Sequence, residues 1–139
     1  MKKISVFVLS CAVGGLLASP AFAGPRESIL GDLAAQAKAA DPGFSAFSAE
    51  RGKALFTKNF GTGSPETPAC TSCHGTTPQS GGQTRAGKPI DPIGVSKTPD
   101  RYTDPKKVDK WFGRNCPSVI GRECTPIEKG DFITFMAGQ

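Results

Sequence analysis

The sequence is poor in several residue types, and each scarcity excludes a class of protein. His74 is the only histidine among 139 residues, so a bis-histidine haem or a histidine-rich zinc centre is excluded. The longest apolar run, from Ile4 to Ala18, has about 15 residues, whereas a helix that crosses a membrane needs about 20. We therefore expect no membrane span in the mature protein, and we expect no nucleic-acid partner.

The first 23 residues are predicted to form a cleavable signal peptide. Lys2 and Lys3 precede the apolar run, and Ala21-Phe22-Ala23 is typical of a cleavage site after Ala23. Cleavage there leaves 116 residues, lowers the formal net charge from +5 to +3 and removes Cys11. Lipid attachment at Cys11 is the alternative, but the apolar run continues past this residue, so we favour export to the periplasm.

The remaining sequence predicts an all-α fold with long irregular loops. Capping residues and apolar spacing predict four helices, over residues 28–40, 48–60, 104–115 and from 125 towards the C-terminus. In the third helix, Val108, Trp111 and Phe112 share one apolar face. We find no strand-like alternation. Residues 76–104 are rich in Gly, Pro, Thr and Ser, and so long a loop is uncommon in a small domain unless it wraps a large group such as an apolar cofactor.

The run Cys70-Thr71-Ser72-Cys73-His74 is the attachment signature of a c-type haem. Two thiols three residues apart on a helical turn can each add to a haem vinyl group, and the following imidazole can ligate the iron. A redox-active disulfide and a zinc site are the alternatives. The first normally lies in a βαβ context that is missing here, and the second needs further ligands from a chain with one histidine.

Together with this motif, the segment from Glu50 to Phe56 resembles the first helix of class I cytochromes c. The resemblance implies a small class I cytochrome c fold, with four to five helices around one covalent haem c. It also implies that Gly52 contacts an aromatic residue of the last helix, Phe132 or Phe135. The sequence departs from this family in its distal iron ligand.

Most class I cytochromes supply a methionine to the iron from a loop before the last helix. Here Met1 is lost with the signal peptide, and Met136 lies within the last helix, so an ordinary His/Met site is excluded. The remaining distal candidates are Lys88, Lys97, a water molecule or open position, and Asn115.

A narrower resemblance favours Asn115. The segments 85–88, 98–101 and 113–126 are similar to those of the sphaeroides haem protein family of oxygen-binding cytochromes c, and the similarity extends from about Phe44 to the C-terminus. This resemblance implies that Asn115 is the distal iron ligand and that Cys116 and Cys124 form a disulfide. It also leads us to expect a tryptophan where Phe135 stands. From the sequence alone a helix C-terminal cap is the favoured role of Asn115, and two buried thiols are the alternative to the disulfide.

We therefore divide the chain into a signal peptide (residues 1–23), an N-terminal helical extension (24–43) and a monohaem cytochrome c domain (44–139). The expected function is to accept electrons from another cytochrome, either a dihaem cytochrome c or a membrane b-type cytochrome. Reduction would release Asn115 and open the iron to O2 or NO. A plain electron carrier with Lys88 or Lys97 on the iron is the first alternative, and an enzyme that reduces oxygen or nitric oxide is the second.

Overall fold

The computed structural model describes residues 24–139; the signal peptide predicted over residues 1–23 lies outside this part of the chain. Within residues 24–139 there are five helices and one pair of very short strands, which confirms the all-α prediction. In chain order the elements are α1 (Pro25–Ala40), α2 (Ala49–Thr57), α3 (Thr71–His74), β1 (Gly82–Gln83), β2 (Pro89–Ile90), α4 (Pro105–Ile120) and α5 (Pro126–Ala137). Within the described residues, no helix is long and apolar enough to cross a membrane.

The starts of α2 and α5 agree with the capping residues in the sequence. Ser48 caps α2 by accepting a hydrogen bond from the Arg51 amide at 3.2 Å. At the start of α5, the Thr125 hydroxyl accepts from the Glu128 amide and the Glu128 carboxylate accepts from the Thr125 amide, which is the predicted capping box. Each pairing satisfies backbone N–H groups that have no partner within the first turn.

Helix ends were harder to predict. The predicted end of α2 at Phe60 is wrong, because the helix stops at Thr57 and the Phe60 amide donates instead to the Pro68 carbonyl at 2.8 Å. The predicted end of α4 near residue 115 is also wrong. This helix continues through Pro117 to Ile120 and ends at Gly121, whose φ of 80° lies in the left-handed region that favours glycine.

Tertiary packing explains why Pro117 does not end α4. A proline inside a helix removes one hydrogen bond and costs about 3 kcal/mol. The turn beyond it buries Val119 and Ile120, whose exposed fractions are 8% and 6%, against the Cys116–Cys124 pair. This burial offsets the cost of the proline.

The centre of the fold is the crossing of α2 over α5. A Cβ atom on Gly52 would lie 2.8 Å from the Phe135 Cβ and closer still to the Asp131 carbonyl, so only glycine permits this approach. The expected contact between Gly52 and an aromatic residue of the last helix is therefore confirmed for Phe135. The buried Asp131 carboxylate reinforces the crossing by accepting hydrogen bonds from the Arg51 guanidinium at 2.7 and 2.8 Å and from the Ser48 amide at 2.7 Å.

Helix α1 also packs on α5. Ile29 and Leu33 are buried in one cluster with Val108 and Ile133. The helix begins three residues before its predicted start at Ser28. It lies within the segment 24–43 that we separate from the cytochrome domain, and the boundary at residue 44 stays a prediction.

The long segment 76–104 is mostly irregular, as predicted, but it contains a hairpin that we did not predict. Gly82 pairs with Ile90 and Gln83 with Pro89 in antiparallel register. Strands of two residues are too short to produce a recognisable alternation in the sequence.

Candidate functional site

The motif cysteines and His74 lie on one short helical turn. Cys70 accepts backbone hydrogen bonds from the amides of Cys73 at 3.3 Å and His74 at 3.2 Å, and Gly75 then ends α3 with a φ of 67°. Cys70 and Cys73 are free thiols, and all three motif side chains are partly buried. The turn therefore brings together the three residues that the sequence assigns to haem attachment.

The hairpin packs against the backbone of this turn. A Cβ atom on Gly82 would collide with the Cys73 carbonyl oxygen and lie 2.9 Å from the His74 Cα. Glycine at this position lets the first strand lie directly against the backbone of the motif. An ion pair between Arg85 and Glu66 joins the hairpin to the loop that precedes the motif.

Burial shifts the pKa of two of the motif side chains, Cys70 and His74. It raises the pKa of the Cys70 thiol to about 11, whereas a redox-active cysteine normally has a lowered pKa. This thiol environment does not match the redox-disulfide alternative. Burial, followed by the nearby Arg101 charge, lowers the pKa of His74, which favours the neutral imidazole that binds metals.

This donor set fits a c-type haem. Two unbridged thiols stand three residues apart on one turn, and a neutral imidazole follows directly. The other alternative, a zinc site, needs additional ligands, and residues 24–139 contain no group of three or more His, Cys, Asp and Glu side chains placed to hold a metal ion.

Asn115 lies inside α4 rather than at its end. Gly121 has the terminal position, so the alternative role of Asn115 as a helix cap is wrong. Asn115 is exposed, and among residues 24–139 its side chain makes no hydrogen bond. It lies three residues after Phe112, which packs on Phe132 with ring centroids 5.6 Å apart, and four residues after Trp111. Trp111, which the sequence places on the same apolar face as Val108 and Phe112, is 48% exposed.

A disulfide bond follows Asn115 directly. It joins Cys116 to Cys124 with a Cα–Cα distance of 5.6 Å, and both cysteines are buried beside Val119 and Ile120. The bridge links the last turns of α4 to the loop before α5, which restricts the helix position next to Asn115.

The other distal candidates occupy different surroundings. Met136 has no exposed surface and packs with Phe56, Ile93 and Phe135, so its thioether belongs to the core. Lys88 is exposed in the hairpin, where its amide donates to the Thr84 hydroxyl at 3.0 Å. Lys97 is exposed in the loop beyond the hairpin.

Sequence reasoning missed Tyr102, which packs beside Cys70 and Phe132. Its φ of 61° is unusual for a bulky residue, and its hydroxyl donates to the Ile93 carbonyl at 3.1 Å. Arg26 of α1 fixes the same loop by donating to the carbonyls of Pro99 at 2.7 Å and Arg101 at 2.9 Å. No signal in the sequence marks a tyrosine with a left-handed backbone, because glycine and asparagine are the usual residues there.

Comparisons with known proteins agree on one family. The profile of a family described as a domain of unknown function (DUF1924) matches residues 42–136. The cytochrome c-type protein SHP of Cereibacter sphaeroides is 49% identical over 130 residues, covering 91% of this chain and 95% of that protein. Cytochrome c'' of Methylophilus methylotrophus is 36% identical over 101 residues, covering 72% and 70% respectively. The structure of oxidised SHP, described as an oxygen-binding cytochrome c, superposes with a TM-score of 0.76 at 46% identity and covers 82% of this chain and 96% of that one.

Proposed function

Because the chain belongs to the family of c-type cytochromes that includes SHP and cytochrome c'', we propose that it is an exported monohaem cytochrome that binds O2 or NO. Members of this family carry one covalently bound haem c. The proposed binding position is the one that Asn115 would leave on reduction of the iron. Gas binding is supported at the level of the family, since the SHP structure is that of an oxygen-binding cytochrome c. The distal residue and the electron donor are the specific parts of this proposal.

On the proximal side, Cys70 and Cys73 would hold the haem as thioethers and His74 would ligate the iron. The bound haem supplies one-electron redox chemistry and a coordination position for a diatomic molecule. The helical turn fixes the order of the three side chains, and the close approach of Gly82 holds the turn in place.

On the distal side, Asn115 is the ligand. The observation that supports this assignment is the position of Met136, the one thioether among residues 24–139, which packs with Phe56 and Ile93 from within α5 rather than from a loop before it. The amide oxygen of Asn115 is a hard, neutral and weak donor that suits ferric iron better than ferrous iron. Reduction of a bound haem would therefore weaken its bond to Asn115, and the amide NH2 group of Asn115 would then be available to donate a hydrogen bond to an incoming molecule.

The compartment and the donor complete the proposal. The relatives are cytochromes of the periplasmic type, and cleavage after Ala23 would deliver this chain to the same compartment. We assign reduction to a second cytochrome, with a dihaem cytochrome c or a membrane b-type cytochrome as the candidates. Such a donor would supply the one electron that converts a bound ferric haem to the ferrous form.

Absorption spectra of the Asn115→Ala holoprotein test the ligand assignment. We expect haem attachment to be unchanged and the ferric spectrum to move towards a water-bound or five-coordinate form. The ferrous spectrum, and its change on adding carbon monoxide, should remain close to those of the unaltered protein. Asn115→Met is the complementary variant, because a thioether binds ferrous iron and should suppress the carbon monoxide response.

Lys88→Ala and Lys97→Ala are the matched controls. Both lysines are exposed, so neither substitution disturbs the core. We expect both variants to keep the ferric spectrum of the unaltered protein. If instead one of them changes that spectrum while Asn115→Ala does not, and the ferrous protein ignores carbon monoxide, the protein is a lysine-ligated electron carrier and the gas-binding proposal is wrong.

A further inference from the structure

Three basic side chains and one tryptophan form a stripe along the exposed side of α4. Lys107, Lys110, Trp111 and Arg114 are spaced at i, i+3, i+4 and i+7, which places them on one face of the helix. All four residues are exposed. We call these four residues the α4 stripe.

The stripe is organised around Trp111. The Lys110 ammonium lies 5.3 Å from the centre of the indole ring and the Arg114 guanidinium lies 5.8 Å from it, both within cation–π distance. Trp111 is the one large hydrophobic residue that is exposed in the described part of the chain. Tryptophan and arginine are the residues most enriched at the energetic centres of protein interfaces.

The stripe carries positive charge that nothing nearby neutralises. No member of the stripe forms an ion pair with residues 24–139. On the same helix, Asp104 is occupied as the N-cap, where it accepts from the amides of Lys106 and Lys107. Asp109 is two residues from Lys107, and residues at that spacing point to different sides of a helix.

We propose that the α4 stripe is the docking surface for an acidic face of the redox protein that donates the electron. The inference rests on the proposed function and names the surface that this function uses. Opposite charges steer the donor to the stripe, and Trp111 supplies the apolar contact at its centre. Asn115 lies four residues after Trp111, one turn farther along α4, so a donor docked on the stripe would lie close to the proposed iron ligand. The donor would pass one electron to a ferric haem iron held there.

Calorimetric titration of the oxidised holoprotein with oxidised flavodoxin, a strongly acidic redox protein, measures docking without electron transfer. We expect Lys107→Glu/Lys110→Glu to weaken binding by at least about tenfold at low salt, because four units of charge change at the contact. Lys53→Glu/Lys58→Glu is the matched control, since both lysines are exposed on or just after α2 and the net charge changes equally. This control should weaken binding by less than about threefold, through the long-range field alone.

Trp111→Ala separates the apolar contact from the charge. We expect it to weaken flavodoxin binding by about fivefold or more while leaving the salt dependence unchanged. Equal effects of the two charge-reversed pairs would overturn the proposal. A second pair of results would also overturn the proposal: the protein binds phosphatidylglycerol vesicles through the stripe in a sedimentation assay, and Lys107→Glu/Lys110→Glu leaves flavodoxin binding unchanged. The partner would then be a membrane.

Carbon monoxide spectra of the same preparations keep this inference distinct from the proposed function. If the ferrous protein responds normally to carbon monoxide and the two charge-reversed pairs lose flavodoxin affinity equally, only the docking surface is rejected. A missing response in the unaltered protein rejects the gas-binding function, whatever the titrations show.

Discussion

Two regions of this protein supply the proposed iron ligands, and they are built in opposite ways. The proposed proximal ligand, His74, lies on α3, a helix of four residues, and both motif cysteines lie within the five positions from Cys70 to His74. The proposed distal ligand, Asn115, lies within the sixteen residues of α4, and a disulfide to the loop before α5 restrains that helix. Local backbone geometry and covalent attachment of the haem fix the proximal region, whereas the position of the distal region depends on contacts with distant parts of the chain.

Because of this difference, substitutions in the two regions should have different effects. The motif can bind its cofactor whenever the turn forms, because its donors are neighbours in sequence. Asn115 reaches its place only if α4, the bridge and the packing around Phe112 are all correct. Damage to the proximal region should therefore abolish the holoprotein, while damage to the distal region should alter its spectrum and stability.

The largest effect should come from Cys70→Ser/Cys73→Ser. Loss of both thiols removes covalent attachment, so the intact mass of the exported protein should equal that of residues 24–139 without a haem. Cys73→Ser alone should retain one thioether and a shifted pyridine haemochrome spectrum. A purified double variant that still carries covalent haem at its full mass would contradict the assignment of this motif.

A smaller effect is expected when the distal bridge is removed by Cys116→Ser/Cys124→Ser. The closed loop is short, with a sequence separation of 8, so the loss of unfolding free energy should be about 2 to 3 kcal/mol. Haem attachment should persist, but the ferric spectrum should show partial loss of Asn115 ligation. Denaturant unfolding measures the stability of each variant, and the ferric spectrum of the folded protein measures the ligation. An unchanged midpoint and an unchanged spectrum would show that the bridge does not support the distal region.

Gly82→Ala should disturb the proximal region without touching its donors. The added methyl group meets the backbone of Cys73 and His74, which cannot move without distorting the turn, so we expect a loss of about 1 to 3 kcal/mol. Gly81→Ala is the control, because its methyl group would meet only the Ile90 carbonyl at 3.2 Å. Similar unfolding midpoints for the two variants would show that the hairpin does not brace the motif.

The smallest effect concerns acid stability on the distal side. The hydrogen bond from the Arg122 side chain is the main cause of the lowered pKa of Glu128. A carboxylate with a lowered folded pKa stabilises the protein above its unfolded pKa of about 4.3, and this contribution is lost as the pH falls through the folded value. Glu128→Gln should therefore be less stable than the unaltered protein at pH 7, and the difference should shrink below about pH 4. Thermal melts of both proteins across this range provide the measurement, and a difference that does not change with pH would exclude the ion pair as its source.

The same contrast explains how much the sequence could predict. The haem motif, the capping residues of α2, α4 and α5, and the contact of Gly52 with the last helix depend on local chemistry or on a family pattern, and each was readable. The end of α4 was not readable, because Pro117 normally stops a helix and the burial that offsets its cost comes from residues distant in sequence.

Asn115 shows the limit most clearly. Its residue type is common at helix ends, and only the family resemblance and the lack of an available methionine indicate a ligand. Tyr102 was missed altogether, since its backbone conformation is imposed by neighbours such as Ile93, which accepts its hydroxyl hydrogen bond.

One connection between the two regions has a consequence for how the chain can vary in length. The Thr62 hydroxyl donates to the Ile120 carbonyl at 2.6 Å and the Ser64 amide donates to the Ser118 carbonyl at 2.7 Å, just before the chain reaches Cys70. The end of α4 is thus tied to a point six to eight residues upstream of the first attachment cysteine. That short stretch sets the spacing between the two ligand-bearing regions, so a residue inserted there would shift one region against the other. The irregular segment after the motif, in contrast, can lengthen at its exposed turns without altering this spacing.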